Sequence, residues 1–295
     1  MQRFRSTVLC AIAVLGALAG TALGASAQQG ADPSPPGANN WACVPSAHHP
    51  NPVVLVHGLG ARMSENWLYL SPALAQAGYC VFALTYGQNP DVPAPLDQRG
   101  GLLPMEESAQ QLAEFVERVL AATGAARVDI VGHSEGSLMP NYYVKFLGGA
   151  ERVQRYVGIT PLWAGTNLAG LATAYTLSEP TGLHLVVAGL IDPYCGSCRQ
   201  FLHGSDFLNA MNQGGAAVPG VTYTMIMTMT DELVVPWWSG YLVAPNAKNI
   251  VLQKVCPLDV SEHVLVAFDP VVKQMVLNAL DPANAKPVRC VLGLL

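Results

Sequence analysis

Charge is scarce in this chain. Only 12% of its 295 residues are Asp, Glu, Lys or Arg, and no basic run occurs. The 15 Lys and Arg against 20 Asp and Glu give a net charge of −5. That balance excludes the electrostatic footprint of a nucleic-acid partner. Three metal and cofactor signatures are missing as well: an HExxH pair, a Gly-rich phosphate loop and a Cys/His zinc spacing. No metal and no organic cofactor is therefore expected. Internal repeats are absent. No apolar run is long enough to span a bilayer comfortably, so no stable membrane anchor is expected.

The longest apolar run lies at the start. Arg3 and Arg5 precede an apolar stretch over residues 8–22, and Ala25-Ser26-Ala27 follows. A short positive region, a short apolar core and a small-residue cleavage site predict a signal peptide over residues 1–27 and a secreted protein. Removing Arg3 and Arg5 leaves 13 basic against 20 acidic residues, or −7. Residues 28–40 (QQGADPSPPGANN) are polar and rich in Pro and Gly, which predicts a flexible lead-in. The remainder, residues 41–295, suits one α/β domain.

Of the seven cysteines, Cys10 lies in the apolar leader. The other six form an even set in an exported chain, which predicts disulfides while leaving many connectivities open. The expected pairs are Cys43–Cys80, tying the N-terminal extension to an early strand, Cys195–Cys198, and Cys256–Cys290, tying the C-terminal tail to the last strand. Cys195-Gly196-Ser197-Cys198 also matches a C-x-x-C redox motif, but it follows a loop-like Asp-Pro-Tyr and not the strand end that such motifs use.

Periodicity predicts strands over residues 52–57, 79–84, 128–131, 156–160, 221–230 and 249–255. Helices are predicted over 66–77, 105–122, 137–147 and 270–280. Strands alternating with helices predict a doubly wound, mostly parallel sheet with helices on both faces. Residues 162–220 show no clean period and are expected to hold a lid or pocket wall.

The stretch VDIVGHSEGSLMP, residues 128–140, carries the chemistry. A G-x-S-x-G pattern is weak alone. Here a strand runs into Gly132-His133-Ser134-Glu135-Gly136 and a helix runs out, which is the context of a nucleophile elbow. A serine hydroxyl needs a base, and in this topology the order is serine, acid, histidine. Only His263 lies beyond the late strand at 221–230. Asp231 ends that strand and is the expected acid, with Glu232 and Asp259 as fallbacks. His57 is expected to be a buried residue shaping its loop, and His133 to point away from the serine. Oxyanion donors are expected at the backbone N–H of Glu135, after the nucleophile, and of Leu59, in the loop after the first strand. Leu162, Trp163, Val234 and Val264, with residues 183–190 and Trp237-Trp238, are the expected apolar substrate contacts. For each of them a place in the core is the simpler reading.

PVVLVHGLG (residues 52–60), the elbow, TDELVVP (230–236) and the pair Glu262-His263 together resemble the α/β-hydrolase lipases. More narrowly, the chain resembles the secreted triacylglycerol lipases of actinobacterial type and is similar to the Candida-type lipase B in the acid segment and in Cys256 shortly before the histidine. The resemblance covers nearly all of residues 41–290. It implies an α/β-hydrolase fold, an ester or lipid substrate met at a lipid–water interface, Ser134, Asp231 and His263 as triad, and Leu59 and Glu135 as oxyanion donors. It also implies the pairs Cys43–Cys80 and Cys256–Cys290. Lipase B carries Gln where this chain has Glu135, which places a charged group beside the site. Three other functions compete with an ester hydrolase of apolar acyl chains. One is a polyester or cutin-type depolymerase, or an acyltransferase, on the same triad. Another is a catalytically inactive hydrolase fold used as a binding module. The third is a thiol–disulfide protein acting through Cys195 and Cys198.

Overall fold

The computed structural model describes residues 32–290; the expected signal peptide lies outside them. Its frame is six parallel strands: β1 (Val53–Val56), β2 (Val81–Leu84), β3 (Val128–His133), β4 (Val153–Ile159), β5 (Thr222–Met227) and β6 (Ala247–Val251). They are ordered β2-β1-β3-β4-β5-β6. Each parallel step needs a crossover, and helices lie in the first four: α1 (Leu70–Gln76), α2 (Met105–Thr123), α3 (Met139–Phe146), and α4 (Leu171–Ser178), α5 (Leu183–Ile191) and α6 (Asp206–Asn212) together. The step from β5 to β6 holds only a 3-10 turn at Trp237–Gly240, and α7 (Pro270–Leu280) follows β6. This is the α/β-hydrolase architecture that the strand–helix alternation and the lipase resemblance imply.

Period-two alternation divides β1 between two cores. Val54 and Val56 face α2 and α3, while Val53 and Leu55 face α1 and α7. Both faces of the strand are covered, which is why it reads as an unbroken apolar run. The order reverses direction at β1, with β2 on one side and β3 on the other. The carboxyl ends of β1 and β3 thus form the switch point where such sheets place ligands.

Three elements differ from the sequence reading. Residues 252–255 are a helical turn and not the end of the last strand. The first predicted helix starts later, at Leu70, after a separate turn at Met63–Asn66. The Pro/Gly-rich lead-in, from residue 32 onward, packs on the sheet edge. Asn39 takes the place of a strand partner for β2: its Nδ2 donates to the Ala83 carbonyl and its Oδ1 accepts from the Ala83 N–H, both at 2.9 Å. Composition alone misses this, because pairing an exposed strand edge rewards order in a segment that has no core of its own.

The disulfides are Cys43–Cys80, Cys195–Cys198 and Cys256–Cys290. The first and last close loops with sequence separations of 37 and 34. Replacing both members of one long-loop bridge, as in Cys256→Ser with Cys290→Ser, is expected to lower the unfolding free energy by about 2–4 kcal/mol. Urea melts that superimpose on the wild-type curve would contradict a structural role.

Candidate active site

The nucleophile elbow is built by close backbone approach. A Cβ at Gly132 would stand 1.6 Å from the Gly136 carbonyl oxygen, and one at Gly136 would stand 2.0 Å from the Val56 oxygen. Only glycine fits either position. Between them Ser134 has φ +56°, a left-handed conformation that a non-glycine residue adopts only when its surroundings enforce it. The chain then enters a 3-10 turn, Ser134–Ser137, and continues into α3.

The three residues expected to act together meet at the carboxyl edge of the sheet. His263 Nε2 lies 2.8 Å from Ser134 Oγ, and His263 Nδ1 lies 2.9 Å from both Asp231 oxygens. The histidine and aspartate side chains are almost wholly buried. Asp231 is held from behind, because its Oδ1 also accepts from the N–H groups of Leu233 and Val234. The fallback acids do other work. Glu232 accepts from the backbone N–H of His263. Asp259 accepts from the N–H of Ser261, whose carbonyl in turn receives the hydroxyls of Thr228 and Thr230. Both acids therefore shape the histidine loop and neither contacts the imidazole ring.

His133 does not touch Ser134 Oγ, but its ring does more than point away. Its Nε2 lies 2.8 Å from the His263 carbonyl and its Nδ1 lies 3.0 Å from Asn66 Oδ1, which also accepts the Gly58 N–H at 3.2 Å. Both partners are acceptors, so a neutral ring donates to one of them while it packs between His263 and the loop after β1. Burial pushes the pKa of His133 down to about 3 and that of His57 to about 4, so both rings are neutral near pH 7. His57 has the structural role expected of it: Nδ1 bonds the Gly58 carbonyl, Nε2 accepts from the Tyr86 N–H, and the ring stacks on Tyr86.

Leu59 and Glu135 frame the serine. The Gly58 position lies against Ser134, since a Cβ there would be 3.0 Å from Ser134 Cβ. Among the described residues the Leu59 N–H has no protein acceptor, and the Glu135 N–H belongs to the first turn of a 3-10 helix, where intrahelical acceptors are lacking. The Glu135 side chain is fully buried and neither oxygen has a hydrogen-bond partner. The nearby Tyr86 hydroxyl gives its proton to the His57 carbonyl instead. Burial raises the Glu135 pKa well above the ordinary carboxylate range. What the sequence reading places as a charged group beside the site is a fully buried carboxyl that burial pushes toward its protonated form.

The expected substrate contacts separate into two groups. Leu162, Trp163 and Val234 are buried in the core, and the Trp163 indole N–H donates to Met225 Sδ. Val264 is half exposed, as are Leu265 and Trp238. Residues 183–190 are mostly outside the core, and His184 and Leu185 line a cavity that Ser134, Asp231 and His263 do not. Most of α5 faces outward, and Ala188 is its one buried residue. Two cavities of about 820 and 900 Å³ lie elsewhere, and neither is lined by Ser134, Asp231 or His263. Among the described residues no three His, Cys, Asp or Glu side chains converge to hold a metal ion, and no helix is long and apolar enough to cross a membrane.

Sequence reasoning missed Asn66, because a lone Asn in a helix-like stretch carries no signal. It also missed the pairing of the loop after β1 with Gly100, whose only trace is a double glycine in a long loop.

A neutral Glu135 has a consequence for stability. The folded chain keeps the proton over a pH range in which the unfolded chain releases it, so this group's contribution falls as pH rises above the ordinary carboxylate pKa. Asp129, pushed by burial up to about 6, acts in the same direction. Glu135→Gln removes the first effect and keeps the second. The buried His57 and His133 act oppositely and equally in both proteins, so the melting temperature of the variant is expected to gain on that of wild type as pH rises from about 5 to about 8. Parallel curves would show that Glu135 is ionised in the fold.

The class 2 lipase family model matches residues 50–276 of this chain. Curated triacylglycerol lipases of Pseudarthrobacter phenanthrenivorans and Burkholderia plantarii are each 29% identical to it over 165 residues, 52% of this chain and 46% and 41% of theirs. The chain thus spans less than half the length of these curated relatives. Among solved structures, Aspergillus fumigatus lipase B has a TM-score of 0.61 at 18% identity, covering 88% of this chain and 64% of its own. The propeptide form of Bacillus licheniformis lipase BlEst2 has a TM-score of 0.54 at 15% identity, covering 89% and 54%. At such identities the likeness is one of fold. The family match covers most of the chain, and with the elbow in its strand–turn–helix setting it leads to one conclusion: this chain belongs to the class 2 lipase family.

Proposed function

We propose that this chain is a secreted serine hydrolase that cleaves carboxylic esters of apolar acyl chains through an acyl-enzyme. The observation that carries the reading is the continuous relay from Ser134 Oγ through His263 to Asp231, with contacts of 2.8 and 2.9 Å. His263 Nε2 takes the serine proton as Oγ attacks the ester carbonyl. Asp231, bonded at Nδ1, fixes the tautomer that makes this transfer possible and stabilises the imidazolium that results. The carbonyl oxygen, now carrying the charge, meets the N–H groups of Leu59 and Glu135. Burial of the Glu135 carboxyl disfavours a carboxylate charge next to that oxyanion. His263 then protonates the leaving alcohol. Water, deprotonated by the same nitrogen, attacks the acyl-serine and releases the acid.

Apolar substrates are favoured by what flanks the relay. Leu59 of the oxyanion loop, Leu233 and Val235 after the acid, and Val264 and Leu265 after the base are all at least a third exposed. No Lys or Arg lies among residues 57–60, 131–140, 230–236 or 260–266 to recognise an anionic substrate. Exposed apolar side chains on α5, among them Leu185 at 66% and Leu190 at 69%, favour work at a lipid–water interface. Export rests on the leader over residues 1–27.

Ser134→Ala is expected to lower turnover of a p-nitrophenyl ester by about a thousandfold or more with an unchanged melting temperature, and His263→Ala to do the same. Near-normal turnover in either variant would overturn the mechanism. A series of acyl chain lengths then separates lipid from short-chain esters, and a polyester film tests the depolymerase alternative.

A further inference from the structure

The C-x-x-C segment has no part in the relay, yet it is tied to the backbone beside the oxyanion loop. Residues 100–102 form a strap between the two. On its inner side, the Gly60 N–H donates to the Gly100 carbonyl at 2.8 Å and the Gly100 N–H donates to the Ala61 carbonyl at 3.0 Å. Gly101 lies flush against the cradle, since a Cβ there would stand 2.6 Å from Glu135 Oε2 and 3.1 Å from Leu59 Cα. Gly101 also has φ +75°, a second reason for glycine. The position requires glycine, and glycine is the residue whose backbone loses most entropy on being fixed. Such a strap needs restraint from its outer side.

The outer side is held by the disulfide loop. Ser197 is fully buried, and its Oγ–H donates to the Gly101 carbonyl at 2.5 Å. The Gly196 N–H donates to the Leu102 carbonyl at 2.7 Å. A Cβ at Gly196 would strike Pro104 at 2.7 Å, so this loop too sits flush. Cys195 packs with Val92 and Leu102 in a small apolar cluster of its own. The Cys195–Cys198 bridge closes the turn that presents Ser197.

We propose that the Cys195–Cys198 loop is a clasp for the oxyanion hole, with Ser197 as a positioning residue that acts through Gly101 and Gly100 on Leu59. This rests on the hydrolase reading above, because it assigns Leu59 the oxyanion role given there. The disulfide is then a mechanical part of the site and not a redox centre. Loss of the clasp leaves the Ser134–His263–Asp231 relay intact and lets the Leu59 N–H drift from its aim.

The test uses the oxidised full chain, a soluble butyrate ester below its solubility limit, and an alkylboronic acid. The boronate forms a tetrahedral adduct on the serine oxygen and so reads the oxyanion donors directly. Ser197→Ala is expected to lower kcat by about tenfold to a hundredfold, the lower part of what a misplaced donor costs, with KM changed less than about twofold. The boronate inhibition constant is expected to rise in step with the loss of kcat. The double variant Cys195→Ser with Cys198→Ser keeps the Ser197 hydroxyl and opens its ring, and is expected to show a smaller loss of the same kind. A purely structural role would reduce the active fraction and leave the inhibition constant unchanged, which would overturn the proposal. So would wild-type kcat and boronate affinity in both variants. A wild-type chain that neither turns over the ester nor binds the boronate would overturn the hydrolase reading, and the clasp with it.

Discussion

Everything at the site depends on how closely the backbone of the elbow approaches its neighbours. Gly136 sits where a Cβ would stand 2.0 Å from the Val56 carbonyl oxygen, and Gly132 where one would stand 1.6 Å from the Gly136 oxygen. That contact sets β3 and its turn against the end of β1. It places Ser134 beside Gly58 and brings two loops of unrelated sequence to one point. The strain at Ser134 is held by the two packed cores on either side of the sheet, which fix β1 and β3 in register. A flexible serine would have to be ordered anew at each encounter, whereas this one is positioned by the fold before substrate arrives.

A second constraint is electrostatic. The cluster around the elbow holds His57, His133, Glu135 and Tyr86, all buried. Burial keeps each in its neutral form: the two imidazoles are lowered, and the carboxyl and the phenol are raised. In the acyl transfer proposed above, the charge that forms falls on the oxyanion and on His263 with Asp231, and these buried groups disfavour a competing charge behind them. The same burial makes the stability of the fold depend on pH in both directions: the carboxyl's contribution is lost as pH rises, and that of the two imidazoles as pH falls.

Much of this was legible in the sequence, and the reasons are local. The buried runs of β1 and β3 announce themselves by composition, α2 by its spacing, and the elbow by glycines whose need is steric. The order of serine, acid and histidine along the chain singles out Asp231 and His263. What could not be read arises from long-range pairing. Asn39 closes the edge of β2, Asn66 joins His133 to Gly58, and Gly100 holds the loop after β1, each across a separation that no periodicity reports. Glu135 looked like a charge because sequence carries no measure of burial. Residues 183–190 looked like core because an apolar helix usually is; here most of it faces outward.

The central claim is that Ser134 is an activated nucleophile. The most direct test is reaction of the folded, oxidised chain with a fluorescent fluorophosphonate, followed by mass spectrometry of the labelled peptide. A single adduct on Ser134, lost in His263→Ala, is the predicted result. No adduct, with detergent present to expose apolar surfaces, or an adduct on another serine would contradict the account.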